Sequence, residues 1–184
     1  MWEQTTGNDP AAEVMANTAA WGHKFGQAQQ LSKTGALSIL GGAAAGSRGV
    51  GVDGQGRVSA IWVEVPVPGS TGTSRVRVAT SDAAGNFASP DTIQTATDPF
   101  TYERSAIAVA DQGGLIATWT RYASTGRVWG AAAPAPRQFS APVALSPPTG
   151  DSSATAATTV NGNGVAVWGI GQATGAIQAV RWVP

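Results

Sequence analysis

The sequence predicts an all-β fold built from repeated four-stranded units, and three observations carry that prediction. Tryptophan recurs at intervals of roughly 50 to 60 residues, as Trp2, Trp62, Trp119 and Trp168. Each of the last three ends a short apolar segment that begins with a glycine six residues earlier. Asn, Asp and Gly cluster just before these segments, as tight hairpin turns require. A supersecondary unit therefore repeats along the chain.

Further positions recur at fixed offsets between one tryptophan and the next. A phenylalanine in each unit is preceded, eleven residues earlier, by a valine and followed, six residues later, by a large aliphatic residue. These positions are Val14, Phe25 and Leu31, then Val76, Phe87 and Ile93, then Val128, Phe139 and Leu145. Ile177 is expected at the valine position after Trp168. Length changes are thus confined to the segments between tryptophan and valine and before the next glycine.

Each unit contains four short segments that are typical of strands. In the third unit they are residues 104–110, 115–122, 127–132 and 139–145. In the second unit the residues alternate between two faces, and both faces carry apolar side chains. One face holds Val58, Ala60 and Trp62, and the other holds Ser59, Ile61 and Val63. These strands are therefore expected to be covered on both sides.

The residues before Val14 also fit a helix start, because Asp9 is a good cap and Pro10 suits the first helical position. Val14, however, stands where Val76 and Val128 stand in their units. The repeat therefore predicts a strand over residues 12–18.

Four-stranded units of roughly 50 residues that are covered on both faces are typical of a β-propeller, in which each blade is covered by its neighbours. The expected array has about 3.5 to 4 blades, which would make it an incomplete four-bladed ring, a piece of a larger ring or half of a dimeric one. The boundaries predicted for the single array are a partial blade at 1–32, blades at 48–94 and 104–146, and a partial blade at 154–184. A two-sheet sandwich is the alternative, but it gives no reason for so regular a repeat.

The repeat resembles that of bacterial secreted proteins with a G-x-x-x-A-x-W strand and a W/F-x-x-P-x-x-L-S strand. The second pattern is matched by Phe139, Pro142, Leu145 and Ser146. The resemblance implies a sialidase-like or related propeller. Such propellers carry an S-x-D-x-G-x-x-W turn between their third and fourth strands. Residues 80–87 match it partly, with the glycine one position late.

Composition excludes several classes of function. Charged residues make up 12% of the chain and the formal net charge is zero, so nucleic acid and membrane are not predicted partners. Cysteine is absent, which excludes disulfides and thiol catalysis, and no Asp/Glu spacing suggests a metal or other cofactor. Two lysines amid abundant Ala, Gly, Ser and Thr favour a secreted or cell-surface protein.

The segments of variable length are expected to open on one face of a propeller, and loops on a rigid scaffold commonly carry function. Aromatic, carboxylate and guanidinium groups lie there close to the repeat tryptophans, a combination that suits a sugar. The predicted ligand-binding residues are Glu64, Tyr102, Glu103, Arg104, Trp119, Arg121 and Tyr122.

Three functions follow as hypotheses. The first is a non-catalytic, lectin-like module that presents this loop face to a glycan or protein partner. The second is a structural unit that completes a ring as a homodimer through its open blade edges. The third is a remnant of a glycoside hydrolase, for which Glu64 and Glu103 are the plausible carboxylate pair. No catalytic residue is predicted, because the single histidine, His23, falls in a turn on the opposite face.

Overall fold

The computed structural model describes residues 2–5, 12–19, 22–32, 37–39, 49–66, 72–96, 101–122, 125–147, 152–160, 163–170 and 176–182. Within these ranges the chain forms fifteen β-strands that are arranged in four antiparallel sheets, in chain order. This confirms the all-β prediction. No helix in the described part of the chain has the length and apolar character needed to cross a membrane.

Sheet 1 is formed by β1 (Trp2–Thr5), β2 (Ala12–Ala16) and β3 (Gln29–Gln30), paired in that order. The strand predicted over residues 12–18 is present but ends at Ala16, and Val14 within it pairs with Glu3 and is completely buried. The helix start at Asp9 and Pro10 lies outside the described residues.

Sheet 2 contains β4 (Leu37–Ile39), β5 (Val50–Val52), β6 (Val58–Val65), β7 (Ser74–Thr80) and β8 (Asp91–Ala96). Both β4 and β5 pair with β6, one at each half of that strand. Two short strands thus take the place of a single first strand. The sheet consequently starts before residue 48, the predicted boundary.

Sheet 3 is formed by β9 (Thr101–Val109), β10 (Leu115–Tyr122), β11 (Gly126–Ala133) and β12 (Val143–Ala144). The four predicted strands are all present. The first starts earlier than residue 104, because its initial residues pair with the end of β10. The last is shorter than predicted, because in this segment Val143 and Ala144 alone pair with β11.

Sheet 4 is formed by β13 (Ser152–Val160), β14 (Asn163–Ile170) and β15 (Ala176–Trp182). Its strands follow the order of the second and third units, with β14 in the middle. The described residues contain no strand on the far side of β15, whereas β2, β7 and β11 each have a further strand at that edge.

The same register recurs in all four sheets. The residue that follows each repeat tryptophan pairs with the aliphatic residue of the next strand. The pairs are Glu3 with Val14, Val63 with Val76, Thr120 with Val128, and Gly169 with Ile177. The structure thereby confirms the alignment of the repeats, including the place of Ile177 at the valine position.

Successive sheets pack face to face, and an apolar cluster fills each of the three spaces between them. Trp62 shares the first cluster with Val14 and Leu31 of the preceding sheet. Trp119 and Trp168 belong to the second and third clusters, where they meet Val76 and Val128 respectively. Each repeat tryptophan from Trp62 onward is therefore buried against the valine of the sheet before it.

The two faces of β6 contribute to different clusters, as the alternation predicts. Ala60 and Trp62 pack toward sheet 1, whereas Ile61 and Val63 pack toward sheet 3. Burial of apolar surface on both faces is the main stabilising term for such a stack.

Adjacent sheets also approach each other closely at the β5–β6 and β9–β10 turns. The backbone nitrogen of Gly54 donates a hydrogen bond to the carbonyl oxygen of Asp111 at 3.0 Å. A Cβ at Gly51 would lie 2.5 Å from Cγ2 of Val109, so that position needs a glycine. This approach holds the first strands of sheets 2 and 3 together.

Candidate functional site

The candidate site lies at the end of sheet 3 where β10 runs into β11. Arg121 of β10 pairs with Tyr102 of β9 on one side and with Arg127 of β11 on the other. Tyr122 pairs with Thr101 and with Gly126. The register therefore brings Tyr102, Arg121 and Tyr122 to one end of one sheet.

Arg127 is anchored at this end of the sheet by two contacts. Its Nε donates a hydrogen bond to the carbonyl oxygen of Ser146 at 3.0 Å. Its Cζ lies 5.5 Å from the ring centroid of Trp129, within the range of a cation–π contact. Trp129 in turn packs on the cluster between sheets 2 and 3. The guanidinium group is thus held on an aromatic support.

Trp119 lies beneath this end of the sheet and is completely buried. Its indole Nε1 donates a hydrogen bond to Oε1 of Gln94, in sheet 2, at 2.6 Å. The ring faces the preceding sheet, and Arg121 shares that face because it lies two residues further along the strand. In this position Trp119 supports the site from below, and its ring does not form part of the surface.

Glu64 occupies the position in sheet 2 that Arg121 occupies in sheet 3, two residues after the tryptophan. Its carboxylate is buried, and Oε1 accepts a hydrogen bond from Trp62 Nε1 at 3.3 Å. Arg77 Nε lies 3.8 Å from the same oxygen. Because Trp62 faces sheet 1 whereas Trp119 faces sheet 2, Glu64 is not brought together with Arg121.

Glu103 pairs in register with Thr120, and a β-bulge separates that pair from the one formed by Thr118. Arg104 and Ser105 both fall in this bulge, across from Trp119. A hydrolytic pair would require the carboxylates of Glu64 and Glu103 to face a common space. Glu64 is instead engaged with Trp62 and Arg77, between sheets 1 and 2.

Three residues at or near the site were missed by the sequence reasoning: Gln94, Arg127 and Trp129. Arg127 and Trp129 alternate on β11, so they share the face of Arg121 and Trp119, their partners in register. That alternation is visible in the sequence. Gln94 follows Ile93 where a serine follows the aliphatic residue in the other units, but its partner Trp119 lies in another unit and no spacing reveals it.

The opposite end of the sheets holds an ion pair between the buried carboxylate of Asp53 and the partly exposed guanidinium group of Arg57. Asp53 Oδ2 accepts a hydrogen bond from Arg57 Nε at 2.6 Å, and its Oδ1 accepts from the backbone nitrogens of Gln55 and Arg57 at 2.9 Å. Burial alone raises the pKa of Asp53, but these hydrogen bonds and the charge of Arg57 outweigh it. The pKa of Asp53 consequently lies below its ordinary value.

The turn that partly matches the sialidase-like pattern lies between β7 and β8, as predicted. Asp82 accepts hydrogen bonds from the backbone nitrogen of Asn86 at 2.8 Å and from its side chain at 3.1 Å. The amide of Gln29, in sheet 1, bridges this turn, since it donates to Gly85 and accepts from Phe87, both at 2.9 Å. The turn thus serves to join sheets 1 and 2. His23 is exposed in the corresponding turn of sheet 1.

A cavity of about 160 Å³ lies between sheets 3 and 4. Its lining includes Ile116, Thr118, Gly130, Val143, Leu145, Ala166 and Val180. Thr118 Oγ1 and Trp168 Nε1 are buried at this interface without a hydrogen-bond partner among the described residues. The lining of the cavity is mostly apolar, so it offers few hydrogen-bond partners to a sugar or to water.

The described residues contain no group of three or more His, Cys, Asp or Glu side chains that could hold a metal ion. No protein-family model matches the sequence, and no curated protein is similar enough to count as a relative.

Proposed function

We propose that this chain is a β-propeller array whose sheets are blades, and that it acts as an exported, non-catalytic binding module for a glycan. Support for the propeller comes from the common register of the four sheets and from their stacking in chain order through the repeat tryptophans. Each blade then depends on its neighbours for cover, as propeller blades do.

One observation carries the binding proposal, namely the ladder of Tyr102, Arg121 and Arg127 at a single end of sheet 3. Tyrosine offers a ring face, and guanidinium groups offer several hydrogen-bond donors in fixed directions. The cation–π contact to Trp129 and the bond to Ser146 hold Arg127 in one orientation. A ligand rich in hydroxyl groups matches these donors, and less conformational freedom is lost on binding to a preorganised site.

The ligand is sought on an array of neutral and acidic oligosaccharides, and binding is then quantified by calorimetry. Replacement of Arg121 by alanine is expected to weaken the binding of any hit by about 10- to 150-fold, because charged hydrogen bonds are worth roughly 1.5 to 3 kcal/mol. The Tyr102→Phe variant keeps the aromatic ring and removes the hydroxyl group, so it distinguishes their contributions to binding. Its binding should be nearly unchanged if stacking dominates.

Arg137→Ala is the matched control. Arg137 lies in the turn after β11, at the opposite end of the sheet, and its ion pair with Asp91, at 3.4 Å, is partly exposed. This variant should bind like the wild type. Equal losses from Arg121→Ala and Arg137→Ala would overturn the proposed site, and an array without hits would overturn the glycan as ligand.

A further inference from the structure

The outward face of sheet 4 is exposed, whereas the equivalent face of each earlier sheet is covered by the sheet that follows it. Val14, Val76 and Val128 are each completely buried. Ile177 occupies the same register position, yet 79% of its surface is exposed. The other three are covered by a tryptophan of the next sheet, and no described residue does this for Ile177.

Sheet 1 supplies the missing counterpart. Trp2 stands at the register position of Trp62, Trp119 and Trp168, and it pairs with Met15 just as Trp62 pairs with Arg77. Those three tryptophans each pack on a preceding sheet, but no sheet precedes sheet 1 among the described residues. Each end of the stack therefore carries one half of the repeated interface.

We propose that sheet 1 of a second copy of this chain docks on the exposed face of sheet 4, with Trp2 of one copy over Ile177 of the other. The occupant follows from continuity with the established interface, because the chain forms this contact three times between its own sheets. The outward face of sheet 4 carries the apolar residues Val165, Val167 and Ala179 beside Ile177, and Arg181 lies on the same face in register with Val165. This proposal is independent of glycan binding.

The proposed contact joins two different surfaces, so it is heterologous. Two copies close a ring if the rotation between sheets permits it, and otherwise copies add in a row. In both arrangements the average molecular mass in solution rises with protein concentration.

The first test is sedimentation equilibrium of the wild-type chain and of Ile177→Asp. Because Ile177 is exposed, the substitution should leave the fold of the single chain intact. A buried charge at the contact should raise the dissociation constant by about tenfold or more. Val52→Asp is the matched control, since Val52 is also a β-branched strand residue and 56% of its surface is exposed. A wild-type chain that stays monomeric, or equal effects of both variants, would overturn the proposal.

The second test fixes the direction of docking. The chain lacks cysteine, so Trp2→Cys and Ile177→Cys each introduce a single thiol. Under mild oxidation, a mixture of the two variants should yield the mixed dimer well above either variant alone. Crosslinking of Ile177→Cys mainly with itself would contradict the head-to-tail contact. A variant that carries both substitutions provides a further check. If its monomer forms an internal disulfide, sheet 1 of the same chain covers Ile177, and the proposal of a second copy is wrong.

Discussion

Trp119 of sheet 3 donates a hydrogen bond from its indole Nε1 to Oε1 of Gln94 in sheet 2, and so ties two neighbouring sheets together. The equivalent Trp62 instead uses Glu64 of its own strand. Trp168 has no partner for its Nε1 among the described residues. Three equivalent indole groups thus lie in three different hydrogen-bonding environments.

The difference follows from the residues around each ring. Glu64 stands two residues after Trp62, and its carboxylate can accept a hydrogen bond from the indole. Arg121 stands at the same distance from Trp119, but a guanidinium group cannot accept one. In the preceding sheet, Gln94 takes the place that serine holds elsewhere. The serines Ser32 and Ser146 each accept a hydrogen bond from a valine nitrogen, at 2.8 and 2.9 Å.

Replacement of Gln94 by alanine should destabilise the protein, because it leaves the buried indole of Trp119 without an acceptor. The expected loss is about 1 to 3 kcal/mol in the free energy of unfolding. Urea unfolding followed by tryptophan fluorescence measures it. Gln138→Ala is the control, because Gln138 is exposed, and its effect should stay within about 0.5 kcal/mol. Equal stability of the two variants would show that the bond between the sheets contributes nothing.

The valine position should matter only where a following sheet covers it. Val76→Ala leaves a cavity beneath Trp119 and should lower the free energy of unfolding by about 2 kcal/mol or more. Ile177→Ala, measured at dilutions at which the chain is monomeric, should cost less than about 0.5 kcal/mol. A large loss at Ile177 in the monomer would mean that this side chain is covered within the chain.

Gly85 has a positive φ of 88°, and a Cβ there would collide with Oγ1 of Thr18 in sheet 1. Gly56 has a similar φ of 78°, but an added Cβ would meet nothing within 4 Å. Both alanine variants share the cost of the left-handed backbone. Gly85→Ala should therefore be less stable than Gly56→Ala by about 1 to 3 kcal/mol, the usual cost of overpacking. Thermal unfolding compares them, and equal melting temperatures would contradict the close approach of sheets 1 and 2.

Stability should depend on acid through Asp53. The pKa of Asp53 is lowered in the folded chain, so its contribution is present above the unfolded pKa of about 3.9 and is lost as the pH falls through the folded value. Asp53→Asn should remove this part of the acid dependence below about pH 4. Asp111→Asn, which alters an exposed carboxylate in the matching turn of sheet 3, is the control. Identical acid profiles for Asp53→Asn and the wild type would contradict the assigned role of Asp53.

The repeat in the sequence predicted the strands and their alignment because register is set by which residues must face the neighbouring sheets. Val14, Val76 and Val128 are buried for the same reason, so a common offset reveals them. The segment Leu37–Ile39 was missed because three residues show no periodicity, and because the insertion that follows them has no counterpart in the third unit.

The site was less predictable than the fold. The register of Tyr102 with Arg121 follows from the positions of the strands, but the burial of Glu64 depends on which face its tryptophan takes. The hydrogen bond of Trp119 depends on a residue from another unit. Such contacts between sheets arise from packing, and no pattern within a single repeat encodes them.

Trp62, Trp119 and Trp168 each pack on the valine of the preceding sheet, and this packing defines the stack of four sheets. The most direct measurement is a nuclear Overhauser spectrum of methyl-labelled protein at low concentration, read from the indole ring protons. The account predicts contacts from Trp62 to Val14, from Trp119 to Val76 and from Trp168 to Val128. Contacts from these rings to aliphatic residues of their own sheets alone would contradict the stacking of the four sheets.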